Sequence, residues 1–131
     1  MTELWSVHAT EEACDLAMRA PGAGRVASDE VIVRGPIAED LRGAVRTVDP
    51  HAVIRDAAEG WEEIVLVGDN PRDVFARLSD LRLPDGPGYV QGDVARVATR
   101  VFVDGAGVHL LVPASSGPYL RRQVGEGRSG E

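Results

Sequence analysis

The chain has 131 residues, 44% of them hydrophobic and 27% charged, which suits a globular domain and excludes wholesale disorder, a collagen-like repeat and a disulfide scaffold. Its net charge of −7, from 21 acidic and 14 basic residues, argues against a nucleic-acid partner gripped by a concentrated positive field. Every basic residue is an arginine and Cys14 is the single cysteine, so lysine Schiff-base or P-loop chemistry, an intrachain disulfide and a cysteine-rich zinc site are all excluded.

In chain order, Leu4 to His8 reads as an edge strand. Thr10 caps a short helix from Glu11 to Ala20, which Pro21-Gly-Ala-Gly24 ends. Residues 31–45 (VIVRGPIAEDLRGAV) then align without gaps on residues 64–78 (IVLVGDNPRDVFARL), with Gly35 and Asp40 in step with Gly68 and Asp73. In each copy a β-branched run ends at a glycine, and apolar residues at helical spacing follow. The second helix start is well marked: Asn70 as N-cap, Pro71 in the first turn, and Asp73 opposing the positive helix end. Gly43 weakens the first helix by about 1 kcal/mol relative to alanine.

A strand from His51 to Asp56 closes the first copy. The alternation from Asp93 to Val103, with Val97, Thr99, Val101 and Val103 on one face, predicts one long strand closing the second. Asp104-Gly-Ala-Gly107 turns the chain into a hairpin with Val108 to Val112, and a last helix spans Ser116 to Val124. Together these predict an α+β domain over 1–124: a ferredoxin-like βαββαβ-type antiparallel sheet with its helices on one face, plus a C-terminal hairpin and helix. Residues 125–131 are expected to form a flexible tail. One sheet face is expected to stay bare and to seek a second copy or a larger subunit. No apolar run approaches the ~18 residues of a membrane span, and the acidic start lacks the basic stretch of a secretory signal, so a soluble, cytoplasmic protein is expected.

Residues 53–124 resemble the small folate-fold domain shared by the gamma subunit of heterotetrameric sarcosine oxidase and the glycine-cleavage T-protein (aminomethyltransferase) family. The carriers are AVIRD at 52–56, IVLVGDNPRDVF at 64–75, GDVARVATRVFV at 92–103, VHLLVP at 108–113 and SGPYL at 116–120. The chain departs from the family in two places. Asp56-Ala57-Ala58 lacks the hydroxyl usual two residues after the aspartate, and the stretch from Val97 to Val101 lacks the carboxylate that acts on the folate amine in active aminomethyltransferases. The resemblance therefore implies a non-catalytic accessory subunit that packs on larger flavin- and folate-binding subunits. It makes tetrahydrofolate the one cofactor to consider.

Four residues stand out as ligand or partner contacts: Trp61, Arg96, Arg100 and Asp56. A tryptophan stacks on a pterin or anchors an interface, against the plainer reading of core packing. Arg96 and Arg100 share one face of the predicted long strand, about 13 Å apart at ~3.3 Å per residue. They grip a carboxylate or an acidic partner there, against the plainer reading of a solvated face. His8, His51 and His109 lack ligand spacing and read as unconnected, so no metal is expected. Cys14, with Glu11, Glu12 and Asp15 beside it, reads as a buried helix residue with a raised pKa. Two other functions stay open: a stand-alone folate-dependent enzyme resting on an acid such as Asp56 or Asp93, and a homodimeric ligand-binding domain.

Overall fold

The structure, a computed structural model, describes residues 3–66 and 69–129. The chain divides into two compact units, Met1–Glu59 and Gly60–Glu131.

The first unit is a complete βαββαβ motif: β1 (Leu4–His8), α1 (Glu11–Ala17), β2 (Ala23–Ala27), β3 (Glu30–Arg34), α2 (Glu39–Val48) and β4 (Val53–Asp56). Its four strands pair antiparallel in the order β2-β3-β1-β4. Thr10 caps α1 as expected, its hydroxyl accepting from the Ala13 N–H at 3.3 Å. Val7, Val31 and Val33 on one sheet face pack with Ala13, Cys14 and Ala17 of α1 and Val45 of α2. Gly35 ends β3 with φ 121°, a conformation strained for any side chain.

The second unit comprises β5 (Trp61–Leu66), α3 (Pro71–Leu78), β6 (Gly88–Val94), β7 (Val97–Asp104), β8 (Gly107–Pro113), a short 3₁₀ turn (Ala114–Ser116) and α4 (Gly117–Ser129). Its sheet is also antiparallel, in the order β5-β8-β7-β6. Phe75 of α3 and Leu120 of α4 join Ile64, Leu66, Val101, Val108 and Leu110 in a single core, so both helices lie on one face.

The α+β class, the helices on one face of a sheet, the hairpin at 104–107 and the C-terminal helix all agree with the sequence reading. Several details differ. The strands form two four-stranded sheets, and the βαββαβ motif runs over residues 4–56 rather than across both repeat copies. Each copy does form a strand followed by a helix, but β3 is interior to its sheet while β5 is an edge. Gly68 of the second copy lies outside the described residues. Strand β1 is interior, hydrogen-bonded to both β3 and β4, and α4 continues past Val124. Asn70 stands at the N-cap with Pro71 next to it, but its side chain makes no capping bond.

The predicted long strand from Asp93 breaks at Ala95 and Arg96, which have φ of 48° and 71°. They form a two-residue hairpin loop between β6 and β7. Neither residue is a turn former, so nothing local announces the reversal. The expected bare sheet face is also absent from the central strands. Val31, Ile32 and Val33 are consecutive and buried, as are Val101 and Phe102, and Leu110 and Leu111, so both faces of β3, β7 and β8 are removed from water.

Candidate functional site

Strand register places the candidate side chains on the second sheet. Residues alternate between its faces, and β5, β8, β7 and β6 pair in rows. On the face turned away from α3 and α4, one row reads Glu63, Leu111, Arg100, Gln91. The next reads Val65, His109, Phe102, Tyr89. Trp61 stands diagonally beyond Leu111, and the Arg100 guanidinium lies over its indole ring, 4.5 Å from the centroid. Each side chain limits the other's freedom, and the pair presents an aromatic surface joined to a fixed positive charge. In the neighbouring row the Tyr89 and Phe102 rings meet at 4.8 Å, tilted by 57°. The Tyr89 hydroxyl donates to Gln91 Oε1 at 2.6 Å.

His109 is buried in the middle of this face. Its Nε2 lies 2.8 Å from Asp104 Oδ1, and its Nδ1 lies 3.9 Å from Glu63 Oε1 without a hydrogen-bond partner. Asp104 also accepts from the Ala106 N–H at 2.8 Å, so one carboxylate closes the β7–β8 turn and holds the imidazole. The sequence reading treats His109 as unconnected. The available signal is the Asp104-Gly-Ala-Gly107-Val-His109 spacing, which makes Asp104 and His109 diagonal neighbours across a hairpin.

Three of the four expected contact residues lie in the second unit and one in the first. Trp61 and Arg100 come together. Arg96 does not share their strand face: it sits in the β6–β7 hairpin loop, on the rim of a 280 Å³ cleft also lined by Arg77, Ser79, Asp80 and Asp93. Asp56 belongs to the first unit, at the end of β4. Its Oδ1 accepts from the Ala58 N–H at 2.9 Å, so this carboxylate shapes the turn that leaves the strand. Asp93 is exposed, and its backbone oxygen accepts from Ser79 Oγ at 2.6 Å.

Cys14 is fully buried in α1, its Sγ donating toward Ala9 O at 3.7 Å. Burial pushes the thiol pKa up, nearby Arg25 opposes that shift, and Asp29 and Asp15 add smaller upward effects. Of the acids beside Cys14 in the sequence, Asp15 thus contributes as a lesser cause. Among the described residues no three His, Cys, Asp or Glu side chains are grouped to hold a metal ion, and no helix is long and apolar enough to cross a membrane.

No protein-family model and no curated protein matches the chain. A solved structure does. The chain superposes on one chain of the heterotetrameric sarcosine oxidase from Corynebacterium sp. U-96, determined in complex with pyrrole 2-carboxylate, with a TM-score of 0.77. The match covers 98% of this chain and 80% of that one, at 12% identity. The resemblance seen in the sequence therefore holds at the level of the fold, and the likeness extends over nearly the whole chain.

Proposed function

We propose that the chain is a non-catalytic accessory subunit of the sarcosine oxidase gamma type, packing on larger flavin- and folate-binding subunits. The observation that carries this reading is the likeness, over 98% of the chain, to a chain of a heterotetrameric oxidase. The chemistry of β7 supports the non-catalytic role. From Val97 to Val101 its residues are valine, alanine, threonine and arginine, and none can take a proton from a folate amine at neutral pH. Trp61 with Arg100 is the contact element of the second unit, suited to a carboxylate or an acidic partner surface.

Co-expression of the tagged chain with the larger subunits of a sarcosine oxidase from the same organism tests the reading. The expected result is one stoichiometric complex whose flavin absorbance co-elutes with the tag. A chain that elutes apart from the flavoprotein would refute it, as would tetrahydrofolate-dependent turnover by the chain alone. Titration with tetrahydrofolate, comparing the parent with Trp61→Phe, tests for a folate site on this chain. If the two fluorescence responses are the same, Trp61 is not part of one.

A further inference from the structure

Two four-stranded sheets have four edges, and in an isolated protein each needs protection against pairing with another chain. Three of them carry a hydrogen bond on their outer side. Strand β2 carries a bulge between Arg25 and Ala27, and the Arg25 guanidinium donates to Ala27 O at 2.9 Å, Ser28 O at 2.8 Å and Asp15 Oδ1 at 2.8 Å. On β5, the Ala114 N–H bonded to Gly60 O sets a ladder in which the backbone groups of Glu63 point away from β8. Arg121 of α4 donates to that outward Glu63 carbonyl at 3.3 Å. On β6, Ser79 Oγ donates to Asp93 O at 2.6 Å, and the Ala95 N–H that follows donates to Leu78 O at 2.7 Å.

The outer edge of β4 is different. The Ala57 N–H donates to Leu4 O at 2.7 Å, which makes residues 4 and 57 a hydrogen-bonded pair and fixes the alternation along β4. Val53 and Arg55 turn their backbone groups inward to β1, while Ile54 and Asp56 turn theirs outward. Among the described residues no hydrogen bond reaches those outward groups, and β4 has no bulge. Val53 is 43% exposed, the most exposed of the large hydrophobic side chains among the described residues, and Arg55 and Asp56 are exposed as well. In the first sheet both faces of the interior strand β3 are buried, so its open edge is a route to a partner separate from the Trp61–Arg100 face of the second sheet.

We propose that the outer edge of β4 docks an extended strand of a partner subunit, which adds a fifth strand to the first sheet. Val53 and Arg55 face away from α1 and α2, so the incoming strand, running antiparallel, carries an acidic residue opposite Arg55 and an apolar residue opposite Val53. A second copy of this chain fits less well in the register that pairs Ile54 with Asp56 of the copy, because its twofold axis at Arg55 sets Arg55 against Arg55 and like charges directly opposite are destabilising; a register centred on Ile54 sets Val53 against Arg55 and offers no acidic partner to that arginine. This inference rests on the reading of the chain as a docked subunit, but its test needs no larger subunit, so the two can fail separately.

The probe is the peptide acetyl-Thr-Thr-Glu-Val-Val-Thr-Thr-amide, added at millimolar concentration to the full chain and followed by amide NMR. Shifts confined to Val53–Asp56 are expected, with slowed exchange at the Ile54 and Asp56 amides and little change at Arg55. A peptide with Lys in place of Glu should bind about fivefold more weakly, and Arg55→Glu should reverse that preference. Equal binding of the two peptides, or no response at β4, would overturn the proposal. So would Ile54 and Asp56 amides that become protected in the free chain as its concentration rises, because the occupant would then be a second copy.

Discussion

The β6–β7 hairpin stores strain that two substitutions should release. Ala95 and Arg96 both have positive φ, and Val94 pairs with Val97, so the loop has the two-residue primed form that favours Asn-Gly. Each ordinary L-residue held there costs about 1–2 kcal/mol. Asparagine at 95 recovers part of one such cost. Glycine at 96 removes the other but gives back about 0.5–1 kcal/mol in chain entropy. The loop backbone is held independently of its side chains, by the Ala95 N–H to Leu78 O bond at 2.7 Å and the Tyr119 hydroxyl to Ala95 O bond at 3.0 Å. The substitutions leave these intact. Ala95→Asn with Arg96→Gly should therefore stabilise the chain by about 1–2 kcal/mol and raise Tm by roughly 3–8 °C. Urea unfolding followed by Trp61 fluorescence in a Trp5→Phe background is the assay. A midpoint that stays put or falls, with the m-value unchanged, would show that the hairpin is not strained.

Three further outcomes follow from single sites. Because burial raises the Cys14 thiol pKa, the unfolded chain ionises first as pH rises; stability should hold below about pH 8.5 and decline above it. Cys14→Ala should flatten that decline in urea midpoints taken from pH 7 to 10, and an unchanged slope would assign it to other groups. Gly43 lies in α2 with open space where a methyl group would stand, so Gly43→Ala should stabilise by about 1 kcal/mol in thermal melts. At Gly22 a Cβ would overlap the Arg34 carbonyl oxygen, beside the Arg34 N–H to Gly22 O bond of 2.8 Å. Gly22→Ala should therefore cost about 2–3 kcal/mol, and a melt unchanged from the parent would contradict that packing.

The legible parts of the fold are those with local chemistry. Thr10 caps α1, Pro71 opens α3, and Asp104-Gly-Ala-Gly107 reverses the chain, each through an interaction a few residues long. Strands β2 and β6 escape a reading of the sequence for opposite reasons. Ala23–Ala27 begins inside a helix-ending glycine cluster and has little β-branched character, while the end of Gly88–Val94 is hidden by an alternation that runs from Asp93 through Ala95 and Arg96. Of the candidate site, Trp61 and Arg100 stand out singly but not as a pair, because their meeting depends on the register of three strands. The approach of Glu63 to His109 depends likewise on the pairing of a distant strand, whereas Asp104 and His109 are linked by the spacing of a single hairpin.

By itself, the sequence determined the α+β class, the strand-to-helix step at both repeat copies, the exclusion of lysine and disulfide chemistry, and a resemblance that the fold bears out. Periodicity and turn chemistry act within a few residues and survive without knowledge of neighbours. Tertiary structure decided how the strands divide between two sheets, which of them lie inside, and that Arg96 leaves the strand face it was expected to share with Arg100. It also decided which edges carry a hydrogen bond on their outer side. Strand pairing is set by burial and backbone hydrogen bonds between distant segments, and those terms have no signature in any short window of sequence.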